Sequence, residues 1–334
     1  MIKYLIRRIL VFIPLAFGIV LVVFVLLRMI PGSPVARLAG THATQAQIEA
    51  LTERLGLDLP IWQQFFIYVR NLLQGDMGMS ISTSQPVTQD LLTRFPATLE
   101  LITYTLILCI VIGVFLGARS AINEKGIARK IADLYGLIAG SIADFWIGLM
   151  FIYFFFHRLG WAPAPLGRLG IMLSPPERVT GFILVDSVIA GNWETFFNGL
   201  SHLFLPVAAL TFCFMGAIMK MSRSSITDIL KSDFISYARM MGMPKKVIRR
   251  YAIRNALPPV ITMIGFVYGF LLGGAVLIET VFAWGGLGQY VTQGIAVHDY
   301  MAIQGFMIVA TIFSMLVYLL VDIAHMAIDP RVKL

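Results

Sequence analysis

Charge is what this sequence has least of. Of its 334 residues 13% are Asp, Glu, Lys or Arg and 58% are apolar, where soluble domains carry about 25% charged residues. That deficit argues against an ordinary soluble domain and for a chain that lives in lipid. Cysteine is nearly absent. Cys109 and Cys213 both fall in apolar stretches, so no disulfide framework is expected and the redox compartment is not legible. The five histidines, His42, His157, His202, His298 and His325, are dispersed without metal-ligand spacing, so no metal site is expected. A Gly-x-x-x-x-Gly-Lys-Ser/Thr loop is missing, so the chain is not expected to hydrolyse ATP itself. No serine or cysteine stands in a recognisable nucleophile motif. The alternation of a β-barrel is lacking. So is any convincing internal repeat, which weighs against an inverted-repeat, ion-coupled secondary transporter.

What is present is a set of long apolar runs. Ile9–Leu27, Leu101–Ala118, Leu134–Phe156, Leu203–Met219, Asn255–Ile278 and Met301–Val321 read as six transmembrane helices, the third interrupted by Asp144. The first follows Arg7 and Arg8 and is too long for a signal segment, so it reads as a retained helix. Orientation follows from the basic residues between spans. With a cytoplasmic N-terminus, only Arg28, Arg37, Arg54, Arg70, Arg94, Arg158, Arg168 and Arg178 of the 26 Lys and Arg residues lie outside. Both termini are therefore expected in the cytoplasm. The net charge of +8 reports this topology and contact with anionic lipid, not a nucleic-acid surface.

The loop after the first span carries helix punctuation. Thr44-Gln-Ala-Gln47 matches a capping box, Ile48, Leu51 and Leu55 follow at helical spacing, and Gly56 ends that helix. A second helix is predicted from near Pro60 to Gly75, with Ile61, Phe65, Val69 and Leu72 as its apolar stripe. The loop holding Trp161, Pro163, Pro165, Pro175 and Pro176 reads as a rigid extended cover. Inside the spans, Asp144 either lines a pathway or satisfies a helix end, and Glu279 reads as structural. Gly265, Gly269 and Gly273 share one helix face, which allows close helix packing or a path wide enough for a peptide backbone.

The richest stretch runs from Asp233 to Pro259, between two apolar spans. It reads as two short helices, the first ended by Gly242 and the second started by Pro244. It is too charged for lipid and too well punctuated for a linker. Phe234, Ile235, Met240 and Met241 supply adaptable apolar contacts, and Arg239 with the basic second helix supplies charge. Such an element suits docking of a soluble partner; a basic helix lying on anionic lipid is the alternative.

Several segments, in order, resemble the binding-protein-dependent ABC importer permeases, B-type subunit of the dipeptide/oligopeptide/nickel group. They are Tyr4-Leu-Ile-Arg-Arg8, Pro31-Gly-Ser-Pro34, Leu55-Gly-Leu-Asp-Leu-Pro60 and Gly75-Asp-Met-Gly-Met-Ser80. Phe95-Pro-Ala-Thr-Leu-Glu-Leu101, Ser222-Arg-Ser-Ser225, the 233–259 loop, Glu279 to Gly288 and Asp329-Pro-Arg331 complete the set. The chain departs from the family pattern at Ser33, often aspartate, and at Gly285, often proline. The resemblance implies an all-α polytopic membrane protein with the type I ABC importer permease (MetI-like) fold and a helical periplasmic loop after the first helix. It divides the chain into 1–94, a transmembrane domain over 95–326, and a cytoplasmic tail over 327–334. It also implies that Ser236, Tyr237, Ala238, Arg239, Met240, Met241, Gly242 and Pro244 dock on an ATPase subunit, although only Ala238 keeps the family's leading Glu-Ala-Ala pattern. Asp144, Gly269 and Gly273 become candidates for the pathway. The implied partners are a second permease subunit, two cytoplasmic ATPases that hold ATP and magnesium, and a periplasmic substrate-binding protein; this chain would bind no cofactor of its own. The implied cargo is a di- or oligopeptide, with nickel chelates, glutathione and opines as alternatives.

Overall fold

In hydrocarbon a backbone can satisfy its polar groups only within itself, and this chain does so with helices. The computed structural model describes residues 2–29, 44–54, 56, 58–123 and 126–328. The Pro31–Pro34 and Asp329–Arg331 segments, and all but the start of the expected tail, fall outside the described residues. Among the described residues the single β pairing is an isolated bridge between Met79 and Pro86. Five helices among the described residues are long and apolar enough to cross a membrane: Leu10–Met29, Val87–Ile122, Trp193–Leu230, Leu257–Val281 and Tyr300–Ala327. The chain forms two compact units, Met1–Pro96 with Gly286–Phe313, and Ala97–Gly285 with Ser314–Leu334.

In the first unit, α1 (Ile2–Met29) is followed by two short helices, α2 (Gln45–Arg54) and α3 (Ile61–Leu73). The punctuation behaves as its chemistry demands. Gly56 and Gly75 both take positive φ, at 63° and 81°, where a side chain would be strained. Phe65 is the buried anchor of α3, meeting Phe24 of α1 edge-on at 5.1 Å. Arg28 extends the same seam by donating to Gln64 Oε1 at 2.9 Å. Ile61, expected on the packed stripe, is exposed instead, because the helix begins there and turns it outward.

The same unit contains the start of α4 (Val87–Ile122), α12 (Leu287–Val297) and the start of α13 (Tyr300–Ile328). Asp299 joins them to the turn before α4. Its carboxylate is fully buried and caps α13, accepting from Ala302 N at 3.1 Å. The other oxygen accepts from the Ser80 hydroxyl at 2.6 Å, Ile81 N at 2.7 Å and Ser82 N at 3.1 Å. Gly305 lies against α4, where an added Cβ would sit 2.5 Å from Val87.

The second unit is organised around α8 (Trp193–Leu230). The sequence marks only the short run Leu203–Met219 here, and the structure extends it to 38 residues. The extension starts at Asn192, whose side chain accepts from Thr195 N at 3.0 Å. Gly113 and Gly117 of α4, four residues apart, press against it. A Cβ on Gly117 would lie 2.7 Å from the Met219 carbonyl oxygen. Small residues at that spacing let two helix backbones touch.

The run Leu134–Phe156, predicted as one span, is broken. It consists of α5 (Ile127–Ile138), a turn with Gly140 at φ 83°, α6 (Asp144–Phe151) and a π-helical segment (Ile152–Arg158). Asp144 is thus at a helix start and not inside a helix. It opens α6 and accepts from Phe145 N at 2.7 Å, in the first turn where the helix dipole favours an anion.

The following loop carries a short helix, α7 (Ile183–Ile189), absent from the sequence expectation. Buried carboxylates fix its surroundings. Glu100 pairs with Arg168 and accepts from Leu184 N at 2.9 Å. Asp186 is buried, which alone would raise its pKa. The Thr180 hydroxyl and the Thr180, Gly181 and Val179 amides outweigh burial and hold it below the usual carboxylate range.

The Asp299 knot makes a clear stability expectation. Asp299→Ala should leave the buried Ser80 hydroxyl and Ala302 amide without this acceptor and destabilise the protein by about 1–3 kcal/mol. Thermal unfolding of the detergent-solubilised chain measures it; an unchanged midpoint would show that the turn is held by other contacts.

Candidate functional site

The Asp233–Pro259 stretch emerges directly from the end of α8. It forms α9 (Asp233–Met240) and α10 (Lys245–Asn255), and α11 (Leu257–Val281) follows. Two contacts tie α9 to the last turn of α8. The Ser232 hydroxyl donates to the Ile229 carbonyl at 2.6 Å, and Arg239 donates to the Leu230 carbonyl at 3.3 Å. Inward, Ile235 of α9 and Ile248 and Ala252 of α10 are buried.

The turn between α9 and α10 has one defined geometry. Gly242 sits at φ 73°, its N–H donates to the Arg239 carbonyl at 3.0 Å, and Met243 N donates to the Ala238 carbonyl at 3.1 Å. These two bonds are those of a Schellman motif, which satisfies the orphan carbonyls of the last turn. Pro244, expected as the first helical residue, is the N-cap instead, with ψ at 138°. Its ring fixes φ, and the extended ψ turns the chain sharply into α10.

The result is a projecting apolar tip. Tyr237 is 62% exposed and Met240 79%, and Phe234 and Met241 are exposed beside them. Ser236 and Ala238 are half-buried. Ile235, expected among the outward contacts, is an anchor: it holds the helix to the body while its neighbours face out. Arg223, in the Ser222–Ser225 segment, pairs with Asp133 of α5 and holds that carboxyl below its ordinary range. Large apolar side chains held out by a rigid turn suit insertion into a partner's cleft.

The pathway candidates lie elsewhere on the second unit. On α11, Gly265 and Gly274 are packing sites. An added Cβ would meet Val321 at 2.1 Å and Phe214 at 2.6 Å. Gly269 and Gly273 are open, with only Ser314 Oγ at 3.9 Å near the first and nothing within 4 Å of the second. Shared spacing therefore conceals two different roles. Gly273 lies in an exposed stripe with Thr262, Phe266, Phe270 and Leu277. Asp144, on α6, is not brought to either open glycine.

Glu279 is fully buried at the end of α11 and accepts from the Thr98 hydroxyl at 2.6 Å. Trp284 N–H donates to the Ala97 carbonyl at 2.9 Å on the same side. Gly285 takes φ 79°, a conformation closed to proline. Sequence reasoning missed Asp299, Glu100 and the anchors Ile248 and Ala252. Asp299 did carry a signal, an acidic residue directly before an apolar helix.

Comparison with known proteins gives two family matches. The family described as "Binding-protein-dependent transport system inner membrane component" matches residues 110–334. The family described as "Binding-prot-dependent transport system membrane comp, N-term" matches residues 1–102. The chain is 41% identical over 316 residues to the probable D,D-dipeptide transport system permease protein DdpB of Escherichia coli (strain K12), covering 94% of this chain and 93% of that one. It is 38% identical over 335 residues to the dipeptide transport system permease protein DppB of Alkalihalophilus pseudofirmus, covering all of both chains. It is 30% identical over 334 residues to the glutathione transport system permease protein GsiC of Escherichia coli O6:H1, covering 100% of this chain and 99% of that one.

Gly242→Val tests the turn. A β-branched residue at a left-handed position is strained by about 1–2 kcal/mol, so α9 should be misaimed while membrane insertion persists. Normal expression in the membrane with loss of transport is the expected result. Wild-type transport by the variant would remove the turn from the mechanism.

Proposed function

Because the chain belongs to the binding-protein-dependent ABC importer permeases, in their dipeptide group, we propose that it moves dipeptides across the inner membrane as one of two membrane subunits. The observation that carries this reading is the α9–α10 hairpin, with its glycine-defined turn and its outward Tyr237, Met240 and Met241. That tip docks in a cleft of a cytoplasmic ATPase subunit. Two such ATPases, holding ATP and magnesium, close on each other and draw the docking tips together. The bonds from Ser232 and Arg239 to the end of α8 pass the movement to the helix on which the second unit packs. Transport is then a shift between inward-open and outward-open states, biased by nucleotide on one side and by the loaded binding protein on the other.

The substrate follows from the relatives that are named dipeptide permeases at 38% and 41% identity. The glutathione permease, at 30%, supports the related cargo less strongly. The open places at Gly269 and Gly273 lie among the exposed Phe266, Phe270 and Leu277, and leave room for a peptide backbone or for the second permease subunit to approach α11 closely. The α2–α3 loop, with the exposed Trp62 and Phe66, sits on the periplasmic side and meets the binding protein there.

Both termini are cytoplasmic in this reading, and that is directly testable. A cysteine at the exposed Gln85 should react with an impermeant thiol reagent in intact spheroplasts, and one at the exposed Lys231 only after permeabilisation. The reverse pattern would place the docking tip on the wrong side for an ATPase. For the cargo, vesicles holding the complete complex should take up labelled dipeptide only with ATP inside and binding protein outside. Uptake of free dipeptide driven by an ion gradient alone would defeat the reading.

A further inference from the structure

The outer face of α10 is not used by the docking tip, and it has its own chemistry. An open cavity of about 590 Å³ is lined by Lys246, Arg249, Arg250, Ile253, Arg254 and Leu257. These positions follow helical spacing and lie opposite Ile248 and Ala252, which anchor α10 inward. The four cations are exposed, and the ion pairs found among the described residues, Arg129–Asp133, Arg168–Glu100 and Arg223–Asp133, involve none of them. Like charges crowded on one helix face repel one another, so an anion supplied from outside is the natural counterpart.

Two further features select the anion. Ile253 and Leu257 give the cavity an apolar end next to its cations. Leu257 is also the first residue of α11, an uncharged membrane-crossing helix. The cavity therefore stands at the start of that helix, with cations along it from Lys246 to Arg254 and the apolar Ile253 and Leu257 on the side of α11. A soluble phosphate would use only the first half of that arrangement. A phospholipid with an anionic headgroup uses both: phosphate oxygens accept from the guanidinium forks, and the acyl region covers Ile253 and Leu257.

We propose that this face of α10 is a binding site for an anionic phospholipid, which neutralises the helix behind the docking tip and fixes its height at the membrane surface. The leaflet follows from the orientation proposed above, but the site itself does not depend on that orientation or on the docking reading.

The test uses the full chain in nonionic detergent, titrated with phosphatidylglycerol or phosphatidylcholine, with bound lipid counted by native mass spectrometry. Phosphatidylglycerol should be retained and phosphatidylcholine should not. Arg249→Gln with Arg250→Gln should weaken phosphatidylglycerol binding about tenfold or more, since each basic residue at a membrane surface adds several-fold to affinity. Arg249→Lys with Arg250→Lys should keep most of it, and Arg119→Gln with Lys130→Gln, on another loop, should leave it unchanged. If the double glutamine variant does not fold, Arg254→Gln alone should still lower affinity about fivefold. Equal binding of the two lipids, or unaltered phosphatidylglycerol binding in the glutamine variants, overturns the proposal. Displacement of the lipid by millimolar inorganic phosphate assigns the site to a free anion instead. Loss of ATPase-subunit binding by the glutamine variants in lipid-free micelles assigns the face to the ATPase, and the lipid proposal falls.

Discussion

The close approach of helix backbones along α8 is the constraint on which the second unit rests. Apolar side chains gain little by leaving lipid for one another, so helices associate in a membrane where their surfaces fit. At Gly117 the fit is at its limit, since the Met219 carbonyl and the Ser222 Cβ already occupy the place of a side chain. Gly216 and Gly274 repeat the device toward Ala139 and Phe214. Tyr135 adds a polar clasp by donating its hydroxyl to the Phe212 carbonyl. Because α8 continues without a break to Leu230, the helix that gathers these contacts is also the one from which the docking hairpin springs. Packing and the proposed docking element meet in a single helix.

Buried carboxylates are the second organising device. An unpaired charge away from water is costly, and each one here is compensated. Asp299 takes three backbone amides and two hydroxyls, Glu100 takes a guanidinium and an amide, and Glu279 takes a hydroxyl. Each has a partner far away in sequence, so the carboxylate ties together segments that are distant along the chain. They serve as joints, and none of them stands in the exposed stripe of α11.

The docking hairpin shows how local rules build a functional surface. Gly242 and Pro244 act within a few residues of themselves, through a left-handed φ and a fixed φ. Their effect is that apolar side chains, which would otherwise fold inward, are held out at the tip. The exposure of Met240 is the observable consequence. The basic face of α10 lies behind that tip, so one short hairpin presents an apolar end and a cationic flank.

Much of this was legible along the chain. The membrane class, five of the six spans, the two helices between Thr44 and Gly75 and the turn at Gly242 follow from hydropathy and from glycine and proline stereochemistry. Those signals are local, and local energetics determines them. Other features required the folded chain. The predicted span Leu134–Phe156 is apolar throughout except for Asp144, and composition does not reveal the break at Gly140. The glycines of α11 have one spacing and two fates, because only the neighbouring helices decide whether Val321 or open space faces them. Ile235 reads like its exposed neighbours until the body of the protein covers it. Asp299 shows an N-cap signal in the sequence, but its second role, holding the Ser80–Ser82 turn, depends on residues more than two hundred positions away. The sequence by itself determined the membrane class, most of the long helices and the glycine and proline turns at Gly56, Gly75 and Gly242, since those choices are settled within a few residues. The tertiary structure alone decided which faces are covered, which carboxylates are joined and which side chains remain free to meet a partner, because burial is a property of what lies opposite.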